Sequence, residues 1–364
     1  MKYIFSVLSV LFSLSSFSQE ITLDSIQGTE QKLNEVIVSS IRVKYNSPFT
    51  HSNVSREDLS KKNLGQDLPI LLNYLPSVVT TSDAGAGIGY TGIRIRGISA
   101  QSTNITINGI PFNDAESHGT YWVNLPDFSS SIESLQVQRG VGTSTNGSGA
   151  FGSSINILTN GISEDPYAEI SNSFGSYNSR KHTVKFSSGL LNDSFEISGR
   201  LSKIDSDGYV DRAFSDLKSY FLQGAFKRGN TFLKALAFGG HEKTYQAWDG
   251  LSKEQIKENR RQNPLTYENE IDNYKQDHYQ MHLNQKIDSK WSTNIGLNYT
   301  YGRGYFEQYR EDDDVSSYGG IVVSDLDTNG NELGTTDLIR RRWLDNNFYV
   351  FNTTFNYVSS KLNM

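Results

Sequence analysis

Beyond residue 166 the chain alternates apolar and polar positions with a period of two, almost to its last residues. In Phe195-Glu196-Ile197-Ser198-Gly199-Arg200-Leu201-Ser202 one face is apolar and the other polar or charged. Tyr279, Met281, Leu283 and Ile287 alternate with His278, Gln280, His282, Asn284 and Lys286. Trp291, Thr293, Ile295, Leu297, Tyr299 and Tyr301 alternate with Ser292, Asn294, Gly296, Asn298, Thr300 and Gly302, and Tyr349, Phe351, Phe355 and Tyr357 continue the pattern. A two-residue period predicts strands whose two faces meet different surroundings. The runs are close to the roughly 9 to 11 residues that a tilted strand needs to cross a bilayer, and about eight of them fit between residues 167 and 360. Short links such as Leu191-Asn192-Asp193 and Arg228-Gly229-Asn230 alternate with long polar ones, about 242–276 and 304–339. Short turns at one end and long loops at the other predict an antiparallel transmembrane β-barrel, although a soluble β-sandwich also alternates.

Residues 46–160 have a different texture. Ser55 is a helix-capping residue followed by Glu57 and Asp58, and Leu64, Leu68, Leu71, Leu72 and Leu75 recur at helical spacing up to Pro76. Two short helices are predicted there. Compact β-prone runs follow between glycine-rich turns, at 93–98, 104–108, 132–138 and 155–158. The expectation is an α+β domain ahead of the barrel strands.

Upstream, residues 19–45 are polar except for Leu33-Asn34-Glu35-Val36-Ile37-Val38, a β-prone run on an otherwise flexible tail. The start combines Met1-Lys2, an apolar stretch from Tyr3 to Leu14 broken by serines, and small residues before Gln19. It reads as a secretory signal peptide over 1–18, too short for a spanning helix.

Composition narrows the chemistry. The chain has 364 residues and no cysteine, which excludes disulfides, thiolate metal sites and cysteine nucleophiles. With 34 Lys+Arg against 40 Asp+Glu the net charge is −6, which does not suit nucleic-acid binding. The 20 Tyr, 19 Phe and 31 Gly fit many half-exposed strands.

Motifs suggestive of chemistry dissolve in context. Gly87-Ile88-Gly89-Tyr90-Thr91-Gly92 matches a dinucleotide fingerprint, but a strand follows it where that fold needs a helix. The glycine-rich run 140–149 lacks the lysine of a phosphate loop. His278 and His282 lie about 13 Å apart along a strand, too far to share a metal. Asp325-Leu326-Asp327-Thr328-Asn329-Gly330 opens like a calcium loop but has Thr336 where a glutamate must close it. No set of residues makes an active site, so no enzyme, cofactor or metal centre is expected.

The ordered motifs of 33–157 resemble the plug of TonB-dependent outer-membrane receptors. Leu33, Asn34, Glu35, Val36, Ile37 and Val38 look like the TonB box. Ile93-Arg94-Ile95-Arg96-Gly97 looks like the plug strand ending in Arg-Gly. Ile105-Thr106-Ile107-Asn108-Gly109-Ile110-Pro111-Phe112-Asn113-Asp114 looks like the strand-turn signature, with Asn108 where Asp is commoner, and 132–140 and 147–157 complete the set. The resemblance implies a signal peptide (1–18), a tail with TonB box (19–45), a plug (46–160) and part of a barrel (161–364). The family's barrel has about 22 strands, so the chain is expected to be the N-terminal part of a longer protein. The implied partners are TonB with its inner-membrane energising complex, a metal-chelate ligand and outer-membrane lipid.

In such a fold the loops 82–90 and 112–122 would face outward. Tyr90, Phe112, His118, Tyr121 and Trp122 are then candidate ligand contacts. Arg94, Arg96, Glu133 and Arg139 on plug strands are candidates for ion pairs with barrel residues such as Glu196. The family mostly imports ferric chelates, and the chain shows neither the added N-terminal domain typical of its glycan-importing members nor a haem-receptor signature, so the resemblance implies a ferric siderophore or other iron chelate ahead of cobalamin, haem or an oligosaccharide. A secreted β-rich binding protein or adhesin is the alternative from another class.

Overall fold

The computed structural model describes residues 42–43, 48–141, 150–319 and 334–358. The signal peptide expected over 1–18, the 33–38 segment, most of the 140–149 run and the 325–330 motif therefore lie outside the described residues.

Two helices form where the capping signals stand. Helix α1 (Arg56–Ser60) is closed by a reciprocal cap, in which the Ser55 side chain accepts from the Asp58 amide and Asp58 accepts from the Ser55 amide. Helix α2 (Leu68–Leu71) has Asp67 at its cap and a proline in its first turn. The N-terminal domain is built on a mixed five-stranded sheet in the order β1 (His51–Ser55), β6 (Ile132–Arg139), β7 (Ser153–Thr159), β4 (Thr103–Ile107), β5 (Ile110–Pro111). The β4–β7 pair is parallel and the others are antiparallel. A two-stranded sheet of β2 (Val78–Ser82) and β3 (Thr91–Ile95) stands beside it. Strands β1, β2 and β5 lacked a clear apolar alternation. They form because the core needs partners for the more apolar β3, β4 and β6.

Strand β7 is buried on both faces, which explains its mixed sequence. Ile155 and Ile157 enter the apolar core with Ile105, Ile107, Leu135 and Val137, while the opposite face carries the buried polar residues Ser154 and Asn156. Asn156 accepts from the Thr106 hydroxyl at 2.8 Å, so the polar side chain is satisfied where water does not reach.

From Pro166 to Tyr357 the chain makes one eight-stranded antiparallel sheet in strict sequence order: β8 (Pro166–Phe174), β9 (Arg180–Ser188), β10 (Phe195–Ser206), β11 (Ser215–Arg228), β12 (Thr231–Tyr245), β13 (Ile271–Lys286), β14 (Trp291–Asp314) and β15 (Thr335–Tyr357). The strand number matches the alternation. The loop bounds do not: β12 runs on to Tyr245, β13 starts at Ile271, and β14 and β15 reach 24 and 23 residues. The polar ends of these strands continue the ladder where a bilayer no longer selects apolar residues, so they read as loop. A small helix, α3 (Lys253–Glu258), sits in the 246–270 connection behind its own Ser252–Gln255 capping box.

Connections 229–230 and 287–290 lie at one end of the sheet, and 207–214, 246–270 and 315–334 at the other. One face carries Phe195, Ile197, Leu201, Leu222, Tyr279, Met281 and Leu297, all exposed. The other packs against the N-terminal domain and buries Glu196, Arg200, Ser202, Gln223, Lys234, Glu242, His278 and His282. That face is not wholly polar, because Phe221, Leu236 and Phe238 join Phe128 and Trp122 of the N-terminal domain in one apolar cluster.

Candidate functional site

The seam between domain and sheet is organised around Asp127. This residue sits in the left-handed region (φ 52) at the start of a short 3-10 turn that also buries Phe128. Its Oδ1 lies 3.0 Å from Lys181 Nζ of β9, and its Oδ2 lies 3.3 Å from Arg200 Nη1 of β10, all three side chains almost fully buried. Asn63 and Ser130 also donate to Oδ1, at 2.9 and 2.6 Å, and Thr183 and Ser202 donate to Oδ2. Burial alone would raise the carboxyl's pKa. Arg200 and Lys181, with the hydroxyls of Ser130 and Ser202, outweigh it and hold the group below the usual carboxylate range.

Close backbone approach completes the seat. A methyl group on Gly240 of β12 would stand 2.5 Å from the Asn124 carbonyl and 2.6 Å from Pro126 Cδ, so only glycine lets the 124–126 segment lie on the wall. The 83–90 loop meets the sheet at the end with the long connections. The amides of Tyr209 and Val210 donate to the Ala84 carbonyl at 2.7 and 3.1 Å. Gly89 (φ 93) packs where a Cβ would come within 2.6 Å of Ser215 Oγ. The glycines of the 87–92 motif thus serve a turn and a close approach.

Tyr90 donates to Glu242 Oε1 at 3.3 Å and lies edge-on to Trp248, 6.0 Å between ring centroids. Burial, with the carboxylates of Glu242 and Asp272, pushes its phenol up. Asp67 accepts from the Thr91 hydroxyl at 2.9 Å, and burial pushes its carboxyl up to about 8.

At the opposite end Lys234 of β12 donates to the Thr159 hydroxyl at 2.8 Å and the Asn160 carbonyl at 2.7 Å. Arg42 donates to Ser134 Oγ (3.0 Å) and to the carbonyls of Ser134 and Asn156 (both 2.8 Å), while Val43 exchanges hydrogen bonds with the Gln136 amide. Arg42 and Val43, a few residues downstream of 33–38, are therefore fastened to β6 and β7 near the short-turn end.

A domain packed on the largely polar face of an antiparallel meander, with Arg42 and Val43 fastened at one end and glycine-rich loops at the other, has a specific counterpart. The family described as TonB-dependent Receptor Plug Domain matches residues 43–154. Over 196 residues the chain is 29% identical to the vitamin B12 transporter BtuB of Vibrio vulnificus, covering 53% of this chain and 30% of that protein. Residues 43–154 thus carry the plug of TonB-dependent receptors, and the chain is similar to outer-membrane receptors of that kind.

A ferric enterobactin receptor of Pseudomonas aeruginosa is 25% identical over 173 residues, 43% of this chain and 23% of its own. The chain thus spans less than a third of either relative. Among solved structures, P. aeruginosa FpvA bound to pyoverdines superposes with a TM-score of 0.64 at 12% identity, over 88% of this chain and 41% of that one. The Escherichia coli ferric-catecholate import receptor Fiu gives 0.62 at 15% identity, over 85% and 46%. Both share the fold: an α+β plug followed by antiparallel barrel strands. The exposed apolar face of the meander is the face toward the outer membrane.

The candidate residues named from the sequence separate into groups. Phe112 packs beside His278 at 5.3 Å, and Tyr90 reaches the barrel wall. His118 and Tyr121 are exposed on the 112–122 loop. Trp122 is 3% exposed inside the plug core, so it supports the loop from below and is not presented to a ligand.

The expected ion pairs do not form among the described residues. Glu133 pairs with Arg56 of the plug itself at 2.8 Å. Arg139 donates to the Pro76 carbonyl and Ser52 hydroxyl, again within the plug. Arg94 and Arg96 are exposed and make no ion pair with a described residue. Glu196 accepts from the Ser163 amide and from Ser187 and Gln223. The charge pattern is inverted at the seam: the acid comes from the plug and the cations from the barrel. The missed signal was Asp127 itself, a lone acid inside the apolar stretch Val123-Asn124-Leu125-Pro126-Asp127-Phe128.

Proposed function

We propose that the chain serves energy-coupled import of a scarce nutrient across the outer membrane, a ferric siderophore or other iron chelate first. Residues 1–18 direct export, 19–45 carry the TonB box, 46–160 plug the pore and 161–364 supply barrel wall. The observation that carries the reading is the two-ended plug. Its glycine-rich loops meet the wall among the long connections, while Arg42 and Val43 fasten the incoming tail to β6 and β7 near the short turns. A ligand arriving at one end and a pull arriving at the other act on the same small domain.

The pull comes from TonB and its inner-membrane complex. Residues 33–38 suit capture by strand addition, since an extended β-prone run offers free backbone donors and acceptors to a partner's sheet edge. Nothing in this role requires bond chemistry, so the protein is read as a transporter and not as an enzyme. Relatives named for ferric chelates support the iron reading, and the relative named a vitamin B12 transporter favours cobalamin as the second.

The test is uptake of labelled ferric chelate and cyanocobalamin by cells carrying the full-length gene, intact or with Val36→Pro, which deletes a donor from the proposed coupling strand. Uptake of one ligand that disappears with the proline is expected. Uptake unaffected by the proline would remove the coupling role from residues 33–38, and uptake of cyanocobalamin alone would replace iron with cobalamin.

A further inference from the structure

Between the 111–116 loop of the plug and the lumen face of β13, β14 and β15 lies a cleft of about 260 Å³. That is below the roughly 300–1,000 Å³ of a pocket enclosing a whole drug-sized ligand, so it fits one arm or edge of a larger molecule. Its wall is aromatic and fixed. The Phe112 ring leans on His278 at 5.3 Å, and His278 stacks at 4.8 Å on Phe238, which is rooted in the plug–barrel core.

His278 is the informative residue. It is 4% exposed, its Nδ1 is bonded to Thr300 Oγ1 at 2.9 Å, and its Nε2 has no partner among the described residues. A buried polar atom left unpaired costs about 1–3 kcal/mol. Here that atom belongs to a side chain lining the cleft, where an entering group can pair with it. Gln276 and Asn346 add amides to the lining.

The charge of the lining sets the ligand class. Asp114 and Glu116 lie on the plug side, and among the described residues no lysine or arginine lines the cleft. Asp114 Oδ1 is engaged by the amides of Glu116 and Ser117 and by the Ser117 hydroxyl, which shapes the loop without neutralising it. Asp345, the third acid of the lining, is paired with Arg303 at 3.7 Å. Two carboxylates without a cation repel a polyanion and attract N–H and O–H donors or positive charge.

We propose that this cleft is a binding subsite for a neutral or cationic ligand group with hydrogen-bond donors and a flat apolar edge, and that it discriminates against polyanionic chelates. The proposal rests on the receptor reading and specifies its substrate class. The flat edge lies on Phe112, the donors meet the Asp114 and Glu116 carboxylates, and His278 Nε2 provides the buried polar contact.

The experiment uses the full-length receptor purified in detergent and three probes: a cationic ferric trihydroxamate, neutral cyanocobalamin and a trianionic ferric tris-catecholate. Binding is followed by tryptophan fluorescence. The cationic or the neutral probe is expected to bind more tightly than the trianion. Asp114→Asn with Glu116→Gln, which keeps the loop's hydrogen bonds, should loosen the cationic probe about fivefold, two partly exposed charge contacts being lost. His278→Phe, which keeps the ring stack, should loosen whichever probe binds by about three- to tenfold, with heat-modifiable mobility confirming that the barrel folds. Tightest binding by the trianion, no binding by the cationic or neutral probe, or affinities unmoved by these variants would overturn the proposal. A receptor that binds only the trianion and still imports it in a Val36-dependent way would lose this subsite and keep its function.

Discussion

Replacing Asp127 by asparagine tests the plug's seat most directly. Asparagine keeps the shape and tolerates the left-handed backbone at φ 52, so the change removes charge and little else. It leaves Lys181 and Arg200, each with a side chain 3% exposed, facing an amide in place of a carboxylate. Removing one partner from a buried ion pair costs about 3–5 kcal/mol. Arg200 still donates to the carbonyls of Pro126 and Asp127, and Lys181 to that of Asn63, so the loss belongs near the lower figure. About 3 kcal/mol lowers the ratio of seated to unseated plug by roughly a hundredfold. The assays are denaturant unfolding of the full-length receptor and entry into cells of a large hydrophilic antibiotic that the closed barrel excludes. Because the folded carboxyl's pKa is depressed, its contribution is present above about pH 4, the unfolded value, and is lost only as pH falls through the folded value. The variant's deficit should therefore be constant between about pH 5 and 8. A variant within about 0.5 kcal/mol of wild type, with no added antibiotic entry, would refute the reasoning.

Three further outcomes follow from other parts of the seam. Trp122→Ala should destabilise the plug by about 3–5 kcal/mol as a core truncation, whereas Tyr121→Ala, on an exposed ring, should stay within about 0.5 kcal/mol in the same unfolding measurement. Gly240→Ala should loosen the plug, because its methyl meets the Asn124 carbonyl at 2.5 Å, and limited proteolysis of the plug in outer-membrane fractions reads the effect. For Asp67 the sign is opposite to Asp127. Its folded pKa of about 8 lies above the unfolded value of about 3.9, so its stabilising effect is complete at low pH and is lost as pH rises through 8; Asp67→Asn should flatten the stability profile between pH 5 and 9, and parallel profiles would contradict this.

Much of the fold was legible because one physical rule dominates each part. A lipid face on one side and a packed lumen on the other force the two-residue period, so eight barrel strands could be counted from side-chain alternation alone. The capping residues Ser55 and Asp58 place α1 for the same local reason. Strand ends beyond the membrane were not legible, since the tips of β14 and β15 intersperse charges such as Arg303, Glu307, Arg341 and Asp345 with Tyr309, Ile339 and Trp343 and so break the apolar alternation. The site was read less well. Exposed or partly exposed residues such as Phe112 and Tyr121 follow from loop placement, but ionic partners do not, because pairing depends on which residues the packing brings within 4 Å. Arg139 and Glu133 satisfied their charges and donors inside the plug, and Asp127, hidden among apolar neighbours, took the barrel's cations.

The arrangement also bears on how a pull at the tail would act. Arg42 makes three charge-assisted hydrogen bonds to Ser134 and Asn156, each worth about 1.5–3 kcal/mol. That hold is at least as strong as the roughly 3 kcal/mol assigned to the Asp127 latch. A load on the tail therefore reaches β6 and β7 before Arg42 yields. These strands carry Ile132, Leu135, Val137, Ile155 and Ile157, the centre of the core that also contains Phe128, next in sequence to Asp127. The ionic seat and the tail anchor thus meet through one rigid sheet. Weakening Asp127 should lower the force needed to free the plug, whereas Arg42→Met should leave ligand binding intact and reduce coupled uptake, a difference that separates a wall contact from a force-bearing one.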